Sequence, residues 1–347
     1  MGSNIDYKPF LMKKIFISLC LFCLLGCVTQ KNVTQIAPTK YLNTINADDL
    51  KTYLDTLASD EMAGRETGSE GQKKAGLYMI NHYKINQIPA AIGAANYYQK
   101  VPSAFMEKQN HEILPDSENI CAFIEGSELP NEILVISAHY DHIGIKNNEI
   151  YNGADDNGSG TAALLSIAKA FAVAKKEGNG PKRSILFLHV TGEEHGLYGS
   201  KFYAENPLFP LKNTIADINI DMIGRRDEKH SKSNNYIYLI GSDFLSTDLY
   251  ESCEIANKKY VNLEIDYTYN SKSDPNRYYY RSDHYNFAKN GIPVVFLFNG
   301  VHADYHQASD EVDKIEFDAL AKRTQLGFAI AWDLANRKKR PFVDKKG

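Results

Sequence analysis

Short runs of consecutive apolar residues alternate along this chain with longer segments whose apolar residues recur at helical spacing. The short runs predict buried strands at 119–124, 133–137, 185–190, 215–220 and 294–298. The periodic segments predict helices at 48–58, 71–84, 161–176, 197–205, 248–259, 282–289 and 317–338. Because strands that are apolar throughout are covered on both faces, the pattern predicts an α/β fold: a mixed, mostly parallel central sheet sandwiched between helices.

The N-terminus has the pattern of an export signal. Lys13 and Lys14 precede twelve mostly apolar residues, 15–26, a run too short to span a membrane comfortably. The run ends in Leu24-Leu25-Gly26-Cys27, which resembles the lipobox of bacterial lipoproteins. The resemblance implies that Cys27 carries a lipid anchor and that the protein is exported to the cell envelope. A plain signal peptide or a retained anchor is the alternative.

The predicted organisation is a signal peptide at 1–27, a polar tether at 28–45 and one folded domain at 46–340. The length of 347 residues suits two average domains. However, the histidine, aspartate and glutamate residues at the ends of the predicted strands extend from His139 to His306 around one sheet, so a single domain is expected.

Composition excludes several classes of protein. Hydrophobic residues make up 43% of the chain and charged residues 24%, a globular balance that argues against a disordered chain. The net charge of −4, without a basic block, argues against a nucleic-acid binder. No obligate protein partner is evident. Outside the signal, only Cys121 and Cys253 remain, and their apolar contexts predict two buried free thiols rather than a disulfide.

Imidazole and carboxylate side chains stand where predicted strands end. They occur in His139-Tyr140-Asp141, Gly153-Ala154-Asp155-Asp156, Glu193-Glu194, Asp221-Met222 and Tyr305-His306. Sites in open α/β sheets lie beyond the carboxyl ends of strands, and these ligand types suit zinc. A calcium loop starting at Asp155 is rejected because Ser166 stands where a bidentate Glu is required.

In chain order these segments read His-x-Asp, Gly-Ala-Asp-Asp-x-x-Ser-Gly, Gly-Glu-Glu-x-Gly-x-x-Gly-Ser, Asp-Met and Tyr-His-x-x-Ser-Asp. This series, from His139 to Asp310, resembles the M28 family of zinc aminopeptidases. The resemblance implies two zinc ions held by five ligands: His139, Asp155, Glu194, Asp221 and His306. Asp155 would bridge the ions, His139 and Asp221 would hold one, and Glu194 and His306 the other.

The resemblance also implies a mechanism, in which a water activated by two zinc ions hydrolyses N-terminal peptide bonds. Glu193 would be the general base, and Asp141 would hydrogen-bond His139 and fix its tautomer. Tyr279 is the candidate for stabilising the oxyanion. A cis peptide is expected after the bridging carboxylate, at 155–156.

Neighbouring side chains receive weaker expectations. Met222 and Asp283 are expected to line the substrate pocket. Four further histidines are expected to be structural or to line the pocket: His142, His195, His284 and His302.

Two alternatives share this fold. A glutaminyl cyclase uses one zinc and usually carries Trp before the last His, where this chain has Tyr305. A non-catalytic binding protein is the second alternative, and it is disfavoured because every candidate ligand and the base are present.

Overall fold

An eight-stranded mixed sheet forms the centre of the computed structural model, which describes residues 1–4, 38–111 and 113–346. Within these residues the strands are β1 (Tyr98–Val101), β2 (Ser117–Ile124), β3 (Leu129–His139), β4 (Gly144–Lys146), β5 (Glu149–Tyr151), β6 (Arg183–Val190), β7 (Thr214–Ile220), β8 (Tyr236–Ile240), β9 (Glu264–Asp266) and β10 (Val294–Phe298). The order in the large sheet is β1-β2-β6-β3-β7-β10-β8-β9, and β4 pairs with β5 separately. The four central strands β6, β3, β7 and β10 are parallel, so their carboxyl ends meet at one edge.

Helices cover both faces of this sheet. In the described residues they are α1 (Thr39–Leu42), α2 (Ala47–Leu57), α3 (Glu70–Ile85), α4 (Ser103–Asn110), α5 (Gly160–Lys176), α6 (Tyr198–Glu205), α7 (Thr247–Ala256), α8 (His284–Ala288) and α9 (Phe317–Asn336). Alternate residues of β3 enter different cores. Leu134 packs in the cluster that contains α2, α3, α5 and α9, whereas Val135 packs in the one that contains Tyr203 of α6 and Phe287 of α8. The predicted sandwich is confirmed, because both faces of a central strand are buried.

The predicted strands and helices all occur, with ends shifted by a few residues. The strand at 294–298 is recovered at its predicted bounds, whereas the run at 133–137 is the centre of the longer strand Leu129–His139. The pattern missed Tyr236–Ile240, which extends the sheet beside β10, and the short strands and helices near its edges.

The predicted tether at 28–45 is wrong in its last part. Residues from Thr39 to Ile45 pack onto the domain, with Tyr41, Leu42 and Ile45 buried and the ring of Tyr41 5.5 Å from that of Trp332. Tyr41 and Leu42 end α1 and Ile45 follows it, and the burial of these three apolar side chains outweighs the polar composition around them.

Apart from residues 1–4, the predicted signal peptide lies outside the described residues, as does Cys27. None of the described helices is both long and apolar enough to cross a membrane. Cys121 and Cys253 are buried and unpaired, which confirms the prediction of two free thiols.

Candidate active site

The candidate site lies at the edge of the sheet where the central parallel strands end. His139 is the last residue of β3, Glu193 and Glu194 follow β6, and Asp221 follows β7. The loop that contains His306 comes after β10. The rule that sites lie beyond the carboxyl ends of strands is therefore obeyed.

Two imidazole rings each lie between two carboxylates, and Asp156 is common to both groups. His139 Nε2 is 3.3 Å from Asp156 Oδ1 and 3.3 Å from Asp221 Oδ1. His306 Nε2 is 3.1 Å from Asp156 Oδ2 and 3.1 Å from Glu194 Oε2. Since the two oxygens of Asp156 face different groups, this carboxylate has the geometry of a bridge between two cation sites.

The prediction that Asp155 is the bridge is wrong. Its Oδ1 accepts a hydrogen bond of 2.6 Å from the Gly224 amide, and its Oδ2 is 3.1 Å from His302 Nε2. Asp155 therefore faces away from His139 and His306. The motif offers two adjacent carboxylates, and only the local backbone decides which of them faces the other ligands. The cis peptide follows the same shift, since it joins Asp156 to Asn157 rather than Asp155 to Asp156.

Buried hydrogen bonds hold the turn that carries Asp156. The amides of Asp155 and Asp156 both donate to Asp310 Oδ2, at 3.0 and 3.1 Å. The Asn157 side chain donates to the carbonyl of Ile220 and accepts from the amide of Met222. Asp156 is therefore fixed both to the late loop and to the end of β7.

The predicted partnership of Asp141 with His139 is made by a different atom. His139 Nδ1 is 3.1 Å from the backbone carbonyl oxygen of Asp141 and 3.8 Å from its carboxylate. A carbonyl only accepts, so Nδ1 donates and the lone pair of Nε2 is left facing Asp156 and Asp221. The Asp141 carboxylate instead accepts from the Thr67 hydroxyl and the Glu193 amide, and so places Glu193.

Glu193 lies beside the ligand groups without joining them. Its Oε2 is 3.9 Å from His139 Nε2, and its side chain is 12% exposed and borders a cleft. Burial and the nearby carboxylates of Glu194 and Asp221 raise the pKa of Glu193 well above its usual value. A carboxylate with raised proton affinity and access to the cleft suits a general base.

His142 is closer to the site than the sequence indicated. Its Nδ1 donates to Glu194 Oε1 at 2.6 Å and lies 3.9 Å from Asp156 Oδ2. Its buried Nε2 has no hydrogen-bond partner among the described residues. His142, Asp156 and Glu194 thus form a second group with ligand spacing, beside the group of His139, Asp156 and Asp221.

The donor set fits metal cations. Burial lowers the pKa of His306, but its hydrogen bonds to Asp156 and Glu194 outweigh burial and raise that pKa to about 10. A positive charge is therefore favoured between these carboxylates. Imidazole nitrogen and carboxylate oxygen are also the ligands that zinc takes at catalytic sites.

Tyr279 does not reach the site. It is buried, packs against Phe244 with ring centroids 4.5 Å apart, and contacts the rings of Tyr280, His284 and Tyr285. The prediction of an oxyanion role for Tyr279 is therefore wrong, because the short helical turn of three tyrosines directs this one into the core.

A cleft opens beside the two ligand groups. Its acidic side is formed by Asp156, Glu193 and Asp221, and Arg281 also borders it. Apart from Ser282, the rest of the wall is aromatic or aliphatic: Met222, Tyr278, Phe296, Phe298, Val301 and Tyr305. The expectation for Met222 is met. Asp283, by contrast, is fully buried, does not border the cleft, and accepts a hydrogen bond from the Ser200 hydroxyl.

The other histidines near the motifs lie outside the ligand groups. His195 Nε2 pairs with Glu66 at 2.7 Å, and His284 is buried with its ring 4.8 Å from that of Phe296. His302 contacts Asp155. A structural role, as expected, accounts for these contacts.

Comparison with known sequences decides the family. The sequence profile of peptidase family M28 matches residues 119–331, more than half of the chain. The chain belongs to peptidase family M28. Membership of this family implies zinc as the metal.

Two relatives and one solved structure show how far the likeness to M28 proteins extends. A probable zinc metalloprotease of Pyricularia oryzae is 28% identical over 258 residues, which cover 63% of this chain and 50% of that protein. A probable leucine aminopeptidase of Trichophyton verrucosum is 27% identical over 314 residues, 88% of this chain and 78% of that protein. This chain therefore spans half the length of the first relative.

The solved structure is BSAP, a zinc aminopeptidase from Bacillus subtilis. It superposes with a TM-score of 0.64 at 17% identity and covers 87% of this chain and 99% of that one. At that identity the likeness shows the fold alone.

The sequence analysis did not identify the roles of three residues in this M28 site. Asp156 and His142 lie inside the motifs, but the bridging role was predicted for Asp155, and His142 was expected to be structural or to line the pocket. Asp310 also closed a motif, yet its task of holding the Asp156 turn depends on contacts between residues more than 150 positions apart.

Proposed function

We propose that this chain is a zinc aminopeptidase that removes the N-terminal residue of peptides using two metal ions. The observation that carries the proposal is the position of Asp156, whose two oxygens face His139 and His306 at 3.3 and 3.1 Å. A carboxylate shared in this way supports two neighbouring metal ions, and such pairs occur in aminopeptidases.

The proposed ligands follow from the two groups. His139, Asp221 and one oxygen of Asp156 would hold the first ion. Glu194, His306 and the other oxygen of Asp156 would hold the second. When bound, zinc supplies positive charge that acidifies water and polarises the scissile carbonyl.

Proton transfer is assigned to Glu193, and Asp141 holds it in position. Glu193 faces the cleft beside both groups and, with its raised pKa, accepts a proton from the attacking water and passes it to the leaving amine nitrogen. The amide hydrogen bond from Glu193 to Asp141 keeps the base in place. Asp141 also orients His139 through its carbonyl, so that one residue positions a ligand and the base.

The walls of the cleft favour an apolar first residue in the substrate. Tyr278, Phe296, Phe298 and Val301 offer apolar surface, which a leucine or phenylalanine side chain would remove from water. The likeness to a probable leucine aminopeptidase agrees with this preference.

A panel of aminoacyl p-nitroanilides, assayed with added zinc and with a chelator, tests the proposal. We expect zinc-dependent cleavage of the Leu and Phe substrates, faster than of the Asp substrate. N-acetylated versions of the same compounds are the matched control and should be resistant. Cleavage of only the blocked compounds would contradict the aminopeptidase assignment, and cyclisation of N-terminal Gln peptides without amide cleavage would favour a glutaminyl cyclase instead.

We further propose that the protein is a cell-envelope lipoprotein anchored through Cys27. The support is the charged and apolar pattern before Leu24-Leu25-Gly26-Cys27. Expression of the full chain in a bacterium with labelled fatty acid should give a labelled membrane-associated protein, and Cys27→Ser should abolish the label. An unlabelled product cleaved at another position would indicate a plain signal peptide.

A further inference from the structure

Arg65 is a fully buried cation next to the candidate site, at the end of the turn Asp60–Arg65 that precedes α3. Its residue exposure is 1%, and its φ angle is +50°, in the left-handed region that non-glycine residues rarely adopt. A long charged side chain in a strained backbone and without solvent needs compensating contacts.

The guanidinium group donates hydrogen bonds to backbone carbonyls of three separate segments. Nε donates to Tyr140 at 2.9 Å, and Nη1 donates to Leu57 at 2.7 Å and Asn152 at 2.6 Å. Nη2 donates to Gly153 at 2.9 Å. The planar fork of arginine can reach all four carbonyls at once, which a lysine ammonium cannot do.

Two of these segments carry proposed metal ligands. Tyr140 stands between His139 and Asp141, and Asn152 and Gly153 lead directly into the turn that contains Asp156. The main chain of Arg65 adds a further link, because its carbonyl accepts from the amide of His142 at 3.2 Å. Arg65 thus joins the end of β3 to the Asp156 turn.

Its positive charge also acts on the same region. The nearby carboxylates of Asp156, Asp141, Asp310 and Glu194 partly offset the burial that lowers the pKa of Arg65 to about 10, so it is a cation at neutral pH. Among the described residues no carboxylate lies within ion-pair distance of it, so its charge acts on the acidic cluster as a whole. In the metal-free protein this charge counteracts the mutual repulsion of the ligand carboxylates.

We propose that Arg65 is a positioning residue that holds the two metal-binding loops in their ligand arrangement before zinc binds. It is not one of the residues that line the cleft, and in this proposal it takes no part in the chemistry. The inference rests on the proposed function only for the identity of the metal ligands.

Arg183 provides a matched control. It is equally buried and also donates to carbonyls, those of Leu334 and Arg337, although its Nε pairs with Glu132 as well. It lies at the start of β6, at the opposite end of that strand from the ligands. Arg65→Lys and Arg183→Lys each keep the charge and lose the fork, so both should lower the melting temperature of the metal-free protein.

Zinc affinity separates the two roles. In competition with a chromophoric chelator, we expect Arg65→Lys to weaken zinc binding by about 10- to 100-fold, the range seen when partners of metal ligands are removed. Arg183→Lys should bind zinc as the unaltered chain does. The proposal is overturned if Arg65→Lys keeps full zinc affinity, or if Arg183→Lys loses as much.

Hydrogen exchange of the unaltered chain gives a second test, which does not depend on the variant folding. After zinc is removed by a chelator, the amides of Tyr140, His142 and Ala154 should stay protected, since they bond to Val190, Arg65 and Asp310. Loss of protection at these amides, while the amides of β6 remain protected, would overturn the proposal. Both readouts measure metal and backbone without substrate, so an inactive chain with Arg65-dependent zinc affinity would refute the aminopeptidase function and not this inference.

Discussion

Replacing Asp156 by Asn should remove the shared carboxylate and empty both metal positions, whereas the same change at Asp155 should not. The two residues are adjacent aspartates and both are buried, so the pair of variants is closely matched. Only Asp156 has its oxygens within 3.3 Å of both His139 and His306. Asp155 Oδ1 instead accepts a hydrogen bond from the Gly224 amide, and the side-chain oxygen of an Asn can accept the same hydrogen bond.

The size of the effect follows from electrostatics. Two unit charges 4 Å apart attract by about 4 kcal/mol at an effective dielectric constant of 20, which corresponds to about 1,000-fold in affinity. A bound zinc ion carries two charges and a ligand oxygen lies nearer than 4 Å, so Asp156→Asn should weaken each site by at least about 1,000-fold. Asp155→Asn changes a residue that supports the turn of Asp156, and it should lower zinc affinity by about 10- to 100-fold at most.

Metal content after dialysis, measured by mass spectrometry, and chelator competition give the two affinities. A circular dichroism spectrum of each metal-free variant is the control for folding. Zinc retained by Asp156→Asn and lost from Asp155→Asn would show that the bridge is Asp155 and not Asp156.

Three further outcomes are expected. Glu193→Gln should reduce hydrolysis of Leu p-nitroanilide by about 100- to 10,000-fold while zinc content stays at the level of the unaltered chain; a parallel loss of metal would make Glu193 a ligand rather than the base. Tyr279→Phe should change kcat/KM less than about threefold, against the roughly 100- to 1,000-fold loss that follows removal of an oxyanion donor, and a loss of that size would restore the oxyanion role. Burial lowers the pKa of His189 to about 3. As the pH falls below about 6.5, His189 is therefore protonated in the unfolded chain but stays neutral in the folded chain. Between pH 8 and pH 5 the free energy of unfolding should therefore fall by about 2 kcal/mol more than in His189→Gln, as measured by urea denaturation, and equal pH slopes would contradict a neutral buried His189.

Hydrophobic periodicity predicted the architecture because the spacing of apolar residues along the chain reflects which faces of each element are buried. A run such as Val294–Phe298 is short, apolar throughout and rich in β-branched and aromatic residues, which favours a strand covered on both faces. The same reasoning failed at Tyr41, Leu42 and Ile45, where three apolar residues in a polar segment turned out to pack on the domain. The ring of Tyr41 stacks on that of Trp332, nearly 300 residues away in the chain, and no local pattern reports such a partner.

The sequence by itself determined which residue types converge at one edge of the sheet, since strand ends and motif order are local properties. It could not decide between Asp155 and Asp156, or whether Tyr279 faces the cleft or the core, because the direction of each side chain depends on backbone angles that distant contacts set. Asp310 fixes the first choice by accepting from two amides of the turn, and the core around Phe244 fixes the second. The tertiary structure also revealed Arg65, whose four carbonyl partners lie up to 88 positions away, because a buried cation is recognised only by what surrounds it.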